Sequence, residues 1–172
     1  TYDLILDSSE YDFPLFCVPK ANVSPSDHMI GLHVSTLIKD GGTLQIGIGS
    51  LGDAIASSMI MRHKNNSEYN DVLKRFNIKN RYKDLIGRIG GTGPFAKGLY
   101  GATEMLVDVF IKLYQNDILK RKVYGSAGIQ RLINTGVITE QIQPDILDTL
   151  LDHEIINRYL NKSDFRLLSR YG

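Results

Sequence analysis

Three glycines, Gly47, Gly49 and Gly52, close an apolar run of Leu44, Ile46 and Ile48 and lead into a helical pattern at residues 54–61. Without Cβ atoms the chain can turn sharply there and let a ligand rest directly on its amides. At a helix N-terminus such amides lack internal partners, and the helix dipole favours a phosphate or a developing oxyanion. The chemistry on offer is binding or charge stabilisation by the backbone of Gly47, Ile48, Gly49 and Ser50. A second chemistry-bearing stretch is Thr103-Glu104-Met105, with Asp108 after it. There Thr103 is expected to cap a helix and Glu104 to lie in its first turn, where the dipole stabilises a carboxylate. That setting lowers nucleophilicity, so Glu104 reads as a site-lining residue more than as an attacking group. Asp108 would share its face as a solvated partner or hydrogen-bond acceptor.

Other reactive side chains offer less. His28, His33, His63 and His153 show no metal-ligand spacing, and no cysteine pair supports them, so no metal is expected. Cys17, between Phe16 and Val18, reads as a buried core thiol. A lone cysteine gives no internal disulfide and suits a reducing, cytoplasmic compartment.

The elements that must position the glycine turn follow from pattern. Residues 2–6 read as a buried strand, and residues 11–25, with Pro14, Pro19 and Pro25, as an extended connector. Ser24 or Ser26 can cap a helix with Pro25 in its first turn. Ile30, Val34, Leu37 and Ile38 form the apolar stripe of that helix, which Asp40-Gly41-Gly42 stops. Residues 43–48 are the next strand. Helix, tight turn, strand, glycine turn, helix is the order expected of an α/β fold with a parallel sheet.

Residues 62–90 are rich in Lys and Arg and read as an inserted helical excursion, broken at Asn65-Asn66-Ser67; the insertion is bounded at residues 62–97. Its cations read as a solvated face, with contact to a ligand phosphate or a partner as the sharper alternative. Gly90-Gly91-Thr92-Gly93-Pro94 reads as a flexible bend. A helix presenting Leu106, Val109, Phe110 and Leu113 follows Gly98-Leu99-Tyr100-Gly101. A short helix at residues 127–133 closes at Asn134-Thr135-Gly136, and a helical tail follows Pro144, ending in a short helix at residues 165–168.

The glycine turn has several readings. Gly47, Gly49 and Gly52 fit G-x-G-x-x-G, the dinucleotide fingerprint. That fingerprint needs an acid about 20 residues on, at the end of a strand. Glu68 has the distance but sits in Asn65-Asn66-Ser67-Glu68, which is no strand end. A tight turn with no ligand is a second reading. No Gly-Lys-Ser/Thr follows, so a P-loop is excluded.

A third reading comes from longer blocks. Met29-Ile30-Gly31, then Leu37 through Ala54, which includes Asp40-Gly41-Gly42-Thr43-Leu44-Gln45-Ile46-Gly47-Ile48-Gly49-Ser50-Leu51-Gly52-Asp53, resembles the acetyl-CoA hydrolase/transferase family of CoA-transferases. Gly98-Leu99-Tyr100-Gly101-Ala102-Thr103-Glu104-Met105 resembles that family's next signature, and Gly136-Val137-Ile138-Thr139 a third. Together they span about residues 24–140 in family order. The resemblance implies an open, mainly parallel sheet flanked by helices. It also implies transfer of CoA from an acyl-CoA to a carboxylic acid, or to water, through a glutamyl-CoA intermediate. It gives residues 47–50 an oxyanion or pantetheine role, with coenzyme A as substrate and no metal. The family's nucleophilic glutamate lies in a later block with no counterpart before Gly172. The chain is therefore expected to be a single α/β domain or an excised segment without its own nucleophile. Gly52 stands where many members have proline before the aspartate, and the long interval from Asp53 to Gly98 suits a longer branch of the family.

Bulk properties narrow the alternatives. The chain has 172 residues and a formal net charge of +1, so its overall charge points to neither nucleic acid nor membrane. No apolar run reaches the roughly 20 residues of a membrane span. Tyr69, Phe76 and Tyr82 are too irregularly spaced for an RNA-stacking platform. The reading allows a homo-oligomer. A non-catalytic ligand-binding module of the same fold, and a dinucleotide oxidoreductase, stand as alternatives.

Overall fold

The computed structural model describes residues 5, 7–12 and 21–171. The strand expected at residues 2–6 (Ile5 apart) and Cys17 lie outside the described residues, as does most of the connector. The described chain is mixed α/β and mostly helical, with a small two-stranded parallel sheet. It divides into two compact units, Thr1–Arg121 and Lys122–Gly172. Among the described residues no helix is long and apolar enough to cross a membrane.

In the first unit, α1 spans Pro25–Leu37. Of the two candidate caps, Ser24 serves: its hydroxyl accepts from the Asp27 amide at 3.1 Å, while the Asp27 carboxylate accepts from the Ser24 amide at 3.2 Å. This reciprocal pairing satisfies two otherwise orphaned donors, and Pro25 gives up only an N–H that has no helical acceptor. Strand β1 covers Thr43–Gln45, shorter than residues 43–48, though Leu44 and Ile46 both turn into the core. Then α2 runs Ser50–Lys64, and α3 (Asn66–Arg75), α4 (Ile78–Arg81) and α5 (Lys83–Ile89) follow. Strand β2, Tyr100–Ala102, pairs in parallel with β1, and α6 covers Asp108–Gln115. An isolated parallel bridge joins Leu99, just before β2, to Leu119 beyond α6. Leu44, Ile46, Met59, Phe95, Phe110 and Leu113 share the core around the sheet.

Helix α1 corrects its expected face. Gly31, Ser35 and Thr36 are its buried residues, whereas Ile30 of the apolar stripe is exposed. The cause is close helix packing. A Cβ on Gly31 would lie 2.6 Å from the Ala54 carbonyl oxygen, so α2 crosses where α1 is narrowest. Asp27 meets Ser50, Gly31 meets Ala54, and Arg62 meets Ser35 and Ile38, so the two helices run side by side in the same direction.

The basic excursion is helical, and the chain does break at Asn65 between α2 and α3. It has its own core, in which Tyr69, Leu73 and Ile78 pack on Met29 and Leu32 of α1. Its first cation is a correction. Arg62 is 1% exposed, so it is no part of a solvated face. Its guanidinium donates to the carbonyls of Ser35 (2.6 Å), Ile38 (2.7 Å) and Gly93 (2.7 Å) and lies 4.2 Å from the centre of the Phe95 ring. It thereby satisfies orphan carbonyls at the C-terminal end of α1, where the dipole favours a cation. Burial lowers the Arg62 pKa, but a guanidinium stays charged in proteins.

The bend at residues 90–94 is likewise pinned. The Gly91 amide donates to Thr36 O at 2.9 Å, and Asn66 Nδ2 donates to Thr92 O at 2.8 Å. A Cβ on Gly90 would sit 2.0 Å from Thr36 O. Next along the chain, the Phe95 amide donates to His63 Nδ1 at 3.1 Å.

In the second unit, α7 (Ala127–Asn134), α8 (Ile146–Asp152) and α9 (Lys162–Tyr171) surround Ile129, Leu132, Ile138, Leu150 and Ile156. Ser126 caps α7 by accepting from the Ile129 amide, and α9 starts earlier and runs longer than residues 165–168 suggest: Lys162 is its first residue. Asn161 and Asp164 form its reciprocal cap: Asn161 Oδ1 accepts from the Asp164 amide, and Asp164 Oδ2 from the Asn161 amide. The Asn161 amide, with the Asn157 side chain and amide, holds the Asp164 carboxyl below its usual range.

Candidate functional site at the carboxyl edge of the sheet

The parallel register pairs Gln45 with Ala102, the last residues of β1 and β2. The chain after β1, Ile46 to Gly49, and the chain after β2, Thr103 to Val107, therefore leave the sheet at the same edge. In open α/β sheets ligands bind outside this carboxyl edge. Gly47, Ile48, Gly49 and Ser50 are thus on the same edge as Glu104, as an α/β reading requires.

The glycine turn is open. Gly47, Ile48 and Gly49 are exposed, and a Cβ on Gly47 or Gly49 would meet nothing within 4 Å. Gly49 has φ +132°, a conformation that suits glycine, and serves as the N-cap of α2 with no side-chain cap. The first amide to find a backbone acceptor is Asp53, which donates to Gly49 O at 3.2 Å. The amides of Ser50, Leu51 and Gly52 meet no acceptor among the described residues. This contrasts with α1, which begins beside it and is capped by its own side chains. The Ser24 amide and hydroxyl, with a smaller contribution from Ser50, hold the Asp27 carboxyl below its usual range. The free donors at this edge therefore belong to α2. Asp53 in the same first turn already answers part of the dipole, so a carbonyl oxygen gaining negative charge suits the site better than a dianion.

Glu104 stands differently from the sequence expectation. Helix α6 begins at Asp108, so Glu104 lies on the exposed loop before it and outside the first turn. Thr103 is no cap, because its hydroxyl donates to the Met105 carbonyl at 2.6 Å and the N-cap is Val107. Leu106 is 72% exposed, while Val109, Phe110 and Leu113 are buried as the stripe required. Asp108 is the first-turn acid of α6 and is exposed.

The described residues form hollows in both units. An open groove of about 460 Å³ runs along α2, with Ala56, Ile60 and Val109 as an apolar floor and Asp53, Ser57 and Lys112 on its rim. It reaches the glycine turn through Asp53 alone. In the second unit a cavity of about 130 Å³ is walled by Ile133, Ile142, Leu147, Leu167 and other aliphatic side chains.

The histidines take structural places. His33 meets the edge of Tyr82 with ring centres 5.4 Å apart, His63 accepts from Phe95, and His28 and His153 are exposed. Burial, then the Lys64 and Lys120 charges, lower the His63 pKa from 6.5, so Nδ1 is free to accept and Nε2 carries the hydrogen. Among the described residues no three His, Cys, Asp or Glu side chains gather as a metal-binding group. Glu68, the acid that a dinucleotide site would need at a strand end, is in the first turn of α3.

No protein-family model, curated protein or solved structure significantly matches this chain. Sequence reasoning missed Arg62 as a buried anchor and Asp27 as the neighbour of the open turn. The second was findable, since Ser24-Pro25-Ser26-Asp27 has the spacing of a reciprocal cap.

Proposed function

We propose that this chain is the thioester-holding part of an acetyl-CoA hydrolase or CoA-transferase. Coenzyme A enters as the substrate acyl-CoA. On this reading a glutamate outside residues 1–172 attacks the thioester carbonyl and expels CoA thiolate, leaving an acyl-glutamyl anhydride. The thiolate then attacks the glutamyl carbonyl, releasing the carboxylic acid and forming glutamyl-CoA. An acceptor acid reverses the sequence, or water hydrolyses the thioester. Covalent catalysis of this kind divides one difficult exchange into easier steps. Each attack makes a tetrahedral oxyanion, which needs donors fixed in place beforehand. The finer fold expected with this reading is an open, mainly parallel sheet, of which β1, β2 and the Leu99–Leu119 bridge would be a part.

The observation that carries the reading is the uncapped start of α2, with three amides that meet no acceptor among the described residues, on the same sheet edge as Glu104. Glu104 would line the site. A non-catalytic binding module is the second reading, supported by the exposure of Glu104 on its loop.

Gly47→Val is the clean test, because a Cβ there meets nothing within 4 Å and the backbone has no positive φ that calls for glycine. Calorimetric titration with CoA and acetyl-CoA is expected to show binding by the parent chain and a loss of tenfold or more in the variant, about 1.4 kcal/mol. Equal binding by both would remove the turn from the site. Tight NAD binding without CoA binding would favour the oxidoreductase.

A further inference from the structure

The +1 net charge of the whole chain conceals a local concentration. Between residues 74 and 88 lie Lys74, Arg75, Lys79, Arg81, Lys83 and Arg88 against a single carboxylate, Asp84. All six cations are exposed, and none of them pairs with a carboxylate among the described residues. Lys79 reaches only the Asn70 amide oxygen at 3.4 Å, and Arg81 rests over its neighbour Tyr82. The corner between α3 and α4 is anchored from beneath by Leu73 and Ile78, both fully buried, while residues 74–77 are exposed in succession. Asn77, with φ 57°, makes the sharp reversal. Phe76 sits at that reversal and is 55% exposed. An aromatic side chain held out at a corner, flanked in sequence by cations that pair with no carboxylate among the described residues, has no role in the core beneath it.

We propose that the α3–α4 corner docks on an anionic lipid bilayer, with Phe76 entering the headgroup boundary while Lys74, Arg75, Lys79, Arg81 and Lys83 meet the lipid charges. Polybasic segments are drawn to such surfaces, and an aromatic tip supplies the apolar contact that charge alone does not. Single-stranded RNA fits less well. Stacking needs several exposed rings, whereas Tyr69 is fully buried and Tyr82 packs in the excursion's core, leaving Phe76 alone. The whole-chain charge of +1 masks this surface because the remaining residues carry compensating acids. The inference is independent of the thioester reading.

The chain contains no tryptophan, so Phe76→Trp places one reporter at the corner. With phosphatidylcholine vesicles, with or without phosphatidylserine, the variant is expected to co-sediment only with the phosphatidylserine mixture. Bound protein should show a blue-shifted emission, and salt raised from about 0.1 M to 1 M should release it as screening shortens. A Lys79→Glu/Arg81→Glu double variant, altered only at exposed positions, should keep the parent circular dichroism and bind at least tenfold less, since each lost cation weakens binding about fivefold. Equal sedimentation with both vesicle types would overturn the proposal. So would unshifted emission from bound protein, undiminished binding by the double variant, or tighter binding of an RNA oligomer than of the anionic vesicles.

Discussion

The turn at residues 47–52 and the segment at residues 90–94 are both glycine-rich, and each joins a helix to the sheet region of the first unit. Around Gly47 and Gly49 a Cβ would meet nothing within 4 Å, and the amides beyond them meet no acceptor among the described residues. Around Gly90 a side chain would collide with the end of α1, and the backbone nearby is bonded to Thr36, Asn66 and Arg62. In the second segment glycine permits close approach, a packing need. In the first it keeps a surface bare, apart from the positive φ of Gly49, and that is the condition for a ligand to reach the backbone. Glycine content alone does not separate the two; what fills the missing Cβ position does.

That contrast can be broken by experiment. Arg62→Ala should have the largest effect, because it strips three carbonyls of a charged donor and opens a void beside Phe95. A loss of at least about 3 kcal/mol is expected, seen as a fall of about 10 °C in the melting temperature. Gly90→Ala comes next, at about 2 kcal/mol, since the new methyl would sit on the Thr36 carbonyl. A normal melting temperature for that variant would mean the segment is as loose as its composition suggests.

His63 gives a smaller, pH-dependent effect. Its folded pKa lies below the unfolded value of 6.5, so the unfolded chain takes up the proton first. The contribution is whole above about 6.5, declines as the pH falls through that value, and is gone below the folded pKa. Denaturant titrations of the parent and of His63→Asn, whose amide oxygen can still accept from Phe95, should show the slope only in the parent. Smallest is the stability change for Gly47→Val, within about 0.5 kcal/mol, even as ligand binding falls. Loss of folding there would merge the two glycine segments into one class.

Part of this arrangement was readable in the residues. Ser24 with Pro25, the stop at Asp40-Gly41-Gly42 and the break at Asn65 depend on local hydrogen bonding and φ limits, which residue type encodes directly. The buried face of α1 was hidden because helix approach was set by Gly31 and Ala54, small residues that carry no weight in an apolar count. Arg62 was hidden because charge is ordinarily a mark of the surface. Only the three-dimensional meeting of the α1 end with the Gly93 carbonyl gives its guanidinium acceptors. At the candidate site the glycine turn and its place after β1 were legible, but the start of α6 was not. Thr103 spends its hydroxyl on Met105, which moves Glu104 off the helix and onto a loop.

One guanidinium gathers carbonyls from positions 35, 38 and 93, so this corner opens as a unit or not at all. Amide exchange offers a direct view of that coupling. The Gly91 and Phe95 N–H groups, despite sitting in a loop of small residues, should trade deuterium at the slow rate of the α1 interior and in step with it.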